Sequence, residues 1–137
     1  MNLPVDNSRL EAVLARSRSG DGLTRVNAIP ELGDFMDDVR ARDRLTELLD
    51  DEIVTMEVDA AEVLARKGGA TGILAVLEVL GRRRDDPDAD YMAYRLNELD
   101  AGGEVPVVEI VESSGRELSD NAAMALRNLK ALRHSPR

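Results

Sequence analysis

Four pairs of an apolar residue with a leucine three positions later recur at near-even spacing along the chain: Ile29/Leu32, Ala61/Leu64, Ala93/Leu96 and Ala123/Leu126, in steps of 32, 32 and 30 residues. Residues three apart share one face of a helix. A small residue beside a leucine lets a second helix come close while the leucine fills the hole next to it. A second register runs alongside the first. Gly68-Gly69 is matched by Gly102-Gly103 at an offset of 34, and Ile73, Leu74, Val76 and Leu77 are matched by Val107, Val108, Ile110 and Val111 at the same offset. A period of 30–34 residues, each unit a pair of helices, is the pattern of an α-solenoid. One such pair cannot bury both of its faces, whereas stacked pairs bury them in a continuous layer. Paired glycines turn the chain back within a few residues. A closed helical bundle with a coincidental period fits the same pattern, and the order in which the helices pack separates the two.

The rest of the chain supplies helix signals around this period. Leu10, Val13 and Leu14 mark a first helix over 7–17, with Ser8 and Glu11 placed as a capping box, and the SRSGDG run (17–22) breaks it. Pro30 lies inside the next apolar pattern, where it either kinks the helix or occupies its first turn. Ala41, Leu45, Leu48 and Leu49 share a face, as do Val58, Ala61, Leu64 and Ala65. The latter helix ends in Arg66 and Lys67 at its negative pole, with Gly68 expected to take the left-handed conformation just beyond. The most apolar helix follows, carrying Ile73, Leu74, Val76, Leu77 and Leu80, and DDPDAD (85–90) reads as a turn. The β-branched run VPVVEIVE (105–112) has no second strand-like run to pair with, and an isolated strand leaves its backbone unsatisfied. It is therefore read as helix, with Pro106 in the first turn. A last helix begins near Ser119 or Asp120 as cap, and RHSPR (133–137) is expected to fray.

The run LLDDEIVTMEVDAAEVLARKGGATGILAVLEVL (48–80) combines an acidic break, an Ala-Ala helix ending near glycine, and an apolar helix with paired leucines. In this it resembles the HEAT-repeat proteins of the armadillo superfamily. The likeness extends more loosely to 26–49 and 91–132. The units here are shorter than that family's, and the basic residue often found before its small residues is replaced by Glu57 and Asp59 nearby. The resemblance implies an all-α fold: a short right-handed α-solenoid of three to four antiparallel helix pairs over 23–132. Residues 1–22 would form an N-terminal capping helix and loop, and 133–137 a tail, all within one domain. It also implies a binding module whose second helices line the concave face.

Composition narrows the chemistry. There is no cysteine, so disulfides and thiolate metal sites are excluded. The single histidine, His134, lies in the tail, which removes a His-based triad or a two-histidine metal site within the chain. Read as a calcium loop from Asp86, the DDPDAD cluster puts Tyr91 where glycine is required and Asn97 where a bidentate glutamate is required, so the match fails. KGGATG lacks the Gly-Lys-Ser/Thr of a phosphate loop. No cofactor and no catalytic residue are therefore expected. Neither a basic-then-apolar leader nor a membrane-length apolar run is present, so the chain reads as soluble and cytoplasmic, with no membrane partner.

Net charge is −9, and residues 31–62 alone hold twelve acids against three arginines. An acidic surface repels phosphate backbones and attracts basic proteins. Only 2% of residues are aromatic, which leaves few platforms for stacking nucleic acid bases. These features point away from nucleic acid and toward a protein partner, basic in character. The oligomeric state is unspecified.

At the 34-residue offset Arg44, Glu78 and Glu112 superpose, as do Arg82 and Arg116, while Glu109 falls opposite Ala75. Stacked helices would align these six charged residues as a ladder for a partner on the concave face. GRRRDD (81–86) is the one basic cluster and reads first as a helix end at its negative pole. The expected function is a non-catalytic binding module, either an adaptor or an immunity- or antitoxin-type protein covering a basic toxin. A small helical ligand-binding or carboxylate-based enzyme domain, and a self-associating structural subunit, are the alternatives.

Overall fold

The structure, a computed structural model, describes residues 5–133. The expectations for residues 1–4 and for the tail from His134 onward lie outside that range. The described residues form eight α-helices and contain no strand: α1 (Val5–Arg16), α2 (Gly22–Leu32), α3 (Val39–Leu48), α4 (Val54–Lys67), α5 (Gly69–Arg82), α6 (Asp90–Ala101), α7 (Val107–Ser113) and α8 (Asp120–Arg133). Short 3₁₀ turns precede α3 at Gly33–Phe35 and α6 at Pro87–Ala89. The β-branched run is helical, as its lack of a partner strand required, but Pro106 stands just ahead of α7 rather than in its first turn.

Local details depart from the sequence expectations in four places. α1 begins at Val5, so Ser8 and Glu11 lie inside it and form no capping box; the Glu11 carboxylate instead accepts from the Asn7 side-chain amide at 3.0 Å. Pro30 occupies the last turn of α2, where its missing N–H leaves the Val26 carbonyl without its helical donor, and the backbone tightens into the 3₁₀ turn. The left-handed residue after α4 is Gly69 (φ 58°), not Gly68 (φ −98°). Gly68 is needed for closeness instead: a Cβ there would stand 2.5 Å from the Leu64 carbonyl oxygen. Gly103 (φ 78°) repeats the role of Gly69, so the two matched glycine pairs turn the chain by the same device. DDPDAD is more than a turn, since its last residue, Asp90, already opens α6.

The helices fall into two rows. α2, α4 and α6 pack in succession, and α3, α5 and α7 pack in succession beside them. The first row is parallel. Near its N-terminal ends Arg25 pairs with Asp51, and near its C-terminal ends Gly33 abuts Val63 and Arg66 reaches Glu104 at 2.5 Å. The leucines Leu32, Leu64, Leu96 and Leu126 that define the repeat are all buried, and the core is aliphatic throughout.

Arg83, just past α5, joins three elements. Its guanidinium donates to the Leu49 carbonyl at 2.9 Å, to the Glu57 carboxylate at 2.7 Å and to Asp86 at 3.0 Å. Glu57 is 2% exposed, so its charge is tolerated only with this partner. Burial still pushes its carboxyl pKa up, against the pull of Arg83.

The last helix does not continue the succession. α8 packs along α5 more extensively than any other pair of helices in the described chain, with α6 alongside. α7 has only seven residues, ending at Ser113 with the left-handed Gly115 (φ 70°) just beyond, so the chain returns early and leaves the flank of α5 for α8 to cover. The approach is backbone to backbone. A Cβ added to Gly81 would lie 2.1 Å from the Asn121 carbonyl oxygen and 2.6 Å from its Cα. Small residues on α8, Ala122 and Ala125, are buried in the contact layer. Ala93 and Ala123, expected to be buried notches of the repeat, are only half-buried, and Ala93 lines an open groove of about 330 Å³ between α6 and α8.

Gly81→Ala tests this contact. A glycine-to-alanine change inside a helix ordinarily gains about 1 kcal/mol, but the clash with a fixed backbone is expected to turn this into a loss of about 2 kcal/mol, read by urea unfolding. Gly20→Ala, with no atom within 4 Å of the added carbon, is the control. A Gly81→Ala protein as stable as the parent would show that α8 does not cross there.

Candidate functional site

The six charged residues predicted to form a ladder stand on the second row and just beyond it; four have internal partners, of which Arg44 and Glu78 are half-buried while Arg82 and Glu112 stay exposed. Arg44 donates from Nε to the Ser17 hydroxyl at 3.0 Å and from Nη2 to the Ser17 carbonyl at 2.8 Å, closing off the end of α1. Glu78 accepts from the Ser119 hydroxyl and from the Asn121 amide at 3.0 Å, so α8 covers it. Ser119 in turn caps α8 by accepting from the Ala122 amide at 3.0 Å. Arg82 pairs with Asp50 at 2.6 Å, and Glu112 pairs with Lys130 of α8. Glu109 and Arg116 are exposed and have no side-chain partner among the described residues. No member of the set pairs with another.

The free apolar surface lies elsewhere. Five large apolar side chains are exposed among the described residues: Leu23, Val39, Ile53, Tyr91 and Tyr94. Leu23, Tyr91 and Tyr94 stand on α2 and α6 of the first row, and Ile53 stands immediately before α4; Val39 alone belongs to the second row. Because the first row is parallel, Leu23, Ile53 and Tyr91 all mark the same N-terminal edge. Several acids there serve the backbone. Asp21 accepts from Thr24 N–H at 3.0 Å, Asp51 from Ile53 N–H at 2.9 Å, and Asp86 from Asp88 N–H at 3.0 Å. Glu52, Asp59, Asp88 and Asp90 make no side-chain ion pair or hydrogen bond among the described residues.

Between α4 and α6 this edge opens into a notch of about 430 Å³ lined by Val54, Thr55, Val58, Asp59, Asp88 and Tyr91. Its lining contains two carboxylates and no cation. Asp59 is half-buried, and it also lines a second groove of about 370 Å³ between α2 and α4. Burial raises its carboxyl pKa first, the neighbouring negative charge of Glu62 raises it further, and Arg95 partly offsets both. Arg95 is otherwise engaged, donating to Glu62 at 2.7 Å, and Arg66 holds Glu62 from the other side at 2.7 Å. Asp59 is thus a half-desolvated negative charge whose nearest cations serve another acid. The arrangement suits a positive group brought from outside. Among the described residues no group of three or more His, Asp or Glu side chains could hold a metal ion, and no helix is long and apolar enough to cross a membrane.

Sequence reasoning missed Asp59, Tyr91, Tyr94 and Leu23 as surface candidates. One signal was available: Tyr91 and Tyr94 are two of only three aromatic residues, sit three apart, and lie between Asp90 and Arg95. Nothing local distinguished Asp59 from the other acids of its stretch.

The raised pKa of Asp59 gives a signed expectation. A folded-state carboxyl above its ordinary value of 3.8 makes the ionised form the costly one, so it subtracts stability at neutral pH. Asp59→Asn is therefore expected to raise the melting temperature at pH 7. The gain is fully present above the folded-state pKa and disappears as pH falls below the unfolded value near 3.8. Equal melting temperatures for the two proteins at pH 7 would contradict it. No family model matches this chain, and no curated protein or solved structure matches it either.

Proposed function

We propose that this chain is a non-catalytic binding module, a short helical-repeat stack whose first-row edge holds a basic protein partner. In this reading the three helix pairs α2/α3, α4/α5 and α6/α7 are solenoid units, and α8 closes the stack. The observation that carries it is the coincidence of exposed apolar side chains with unpaired carboxylates on one edge. Apolar anchors give a partner contact area, and surrounding charge selects its sign and speeds its arrival. The second row is a poorer surface, because Arg44, Glu78, Arg82 and Glu112 already make internal bonds that a partner would have to break. An adaptor and an immunity- or antitoxin-type protein both fit this description.

A small-ligand or carboxylate-enzyme reading finds one favourable observation in the half-buried Asp59 with its raised pKa. A carboxylate-based reaction needs a second group held near the first with a different proton affinity. The other acid of the notch, Asp88, is exposed, so the binding reading is the stronger.

The test is co-purification with the tagged chain from its native host, followed by cross-link mapping. The expected partner is basic, is lost as NaCl rises from about 50 to about 500 mM, and cross-links to the first-row edge. Leu23→Ala combined with Ile53→Ala is expected to weaken its retention. A partner held equally at both salt concentrations, or one mapping to Glu109 and Arg116, would overturn the assignment of this edge.

A further inference from the structure

The notch between α4 and α6 is specific enough in shape and charge to name the group that enters it. We propose that it is an anchor site for a single arginine side chain of the basic partner, with the guanidinium lying between Asp59 and Asp88 and over the exposed ring of Tyr91. This rests on the binding-module reading and goes beyond it by assigning one residue type to one place.

Three observations converge. The walls are of two kinds: Val54, Val58 and the tyrosine ring are apolar or aromatic, and Asp59 and Asp88 are acidic. An arginine has the matching two parts, an aliphatic stem that covers apolar surface and a charged planar head. Tyr91 is 57% exposed at the mouth of the notch, which leaves its face free for stacking. A guanidinium stacks on such a ring and also bonds a carboxylate, whereas an ammonium is a compact, strongly hydrated point charge. Finally, charge complementarity is one-sided. The groove between α2 and α4 contains Arg66 and Lys67, while the α4/α6 notch contains no base at all. The volume of about 430 Å³ is ample for one such side chain with part of its backbone.

The acids have another task, and it does not account for the notch. Asp88 sits at the positive end of α6 and favours that helix by its charge alone. Asp59 is in the body of α4, away from either end, and its environment disfavours the ionised form that it carries at neutral pH. An incoming guanidinium would relieve that cost.

The experiment uses the whole chain, isotopically labelled, titrated with N-acetyl-arginine-N-methylamide and followed by NMR shift changes. The neutral isostere N-acetyl-citrulline-N-methylamide and the lysine analogue are run in parallel. Saturable shifts centred on Val54, Val58, Asp59 and Tyr91 are expected with the arginine probe and not with citrulline. The lysine probe is expected to bind at least threefold more weakly. Asp59→Asn and Tyr91→Ala are each expected to weaken binding at least fivefold, and Glu109→Gln to leave it unchanged. Non-saturating shifts spread over the acidic surface, equal binding by citrulline or lysine, or full binding by Asp59→Asn would overturn the proposal. In that event retention of a basic partner that is still lost on Leu23→Ala with Ile53→Ala would leave the binding-module reading standing, so the two failures are separable.

Discussion

The contact between Gly81 and Asn121 sets the shape of this protein. Two helix backbones can meet that closely only where a side chain is missing. With α8 drawn onto α5, part of the second row is covered. Glu78 is covered by Ser119 and Asn121, and Glu112 is engaged by Lys130. The large apolar side chains that remain exposed are then found mostly on the first row, and the unpartnered Glu52, Asp59, Asp88 and Asp90 lie with them at its N-terminal edge. Packing at one glycine thereby decides which surface is left for another molecule.

Arg83, just past α5, complements that contact. A buried ion pair is weak evidence for stability, since two desolvated charges recover little more than their own cost. Its value here is register. One guanidinium satisfies the carbonyl of Leu49 at the end of α3, the buried carboxylate of Glu57 in the first turn of α4, and Asp86 at the entry to α6. Any slide of α4 against α5 would strand Glu57 among apolar neighbours. The neighbouring pair Arg82–Asp50 is half exposed and adds little by comparison.

Much of the fold was readable because the signals were local. Apolar spacing located the helices, the 34-residue match identified Gly69 and Gly103 as equivalent turns, and the absence of a partner strand correctly made 105–112 helical. What was not readable was non-local. Gly81 lies next to three arginines and reads as part of a helix end, yet its role is set by a residue forty positions later. The same holds for Arg83, which looks like its neighbours in sequence but alone is drawn inside. Superposing charges at a fixed offset located Arg44, Glu78 and Glu112 on adjacent helices. It carried no information on which of them would find partners, and Ser17, Ser119 and Lys130 took them. Asp59 stood out from a dozen acids only once its burial and the prior engagement of Arg95 were known.

The placement of α8 against α5 is open to direct observation by nuclear Overhauser spectroscopy on the labelled chain. Cross-peaks are expected between the α-protons of Gly81 and the backbone protons of Asn121, together with contacts from Ala122 and Ala125 to α5. Their absence, with α8 showing cross-peaks to α7 instead, would mean that the stack simply continues, that Glu78 is open to solvent, and that the second row is the face available to a partner.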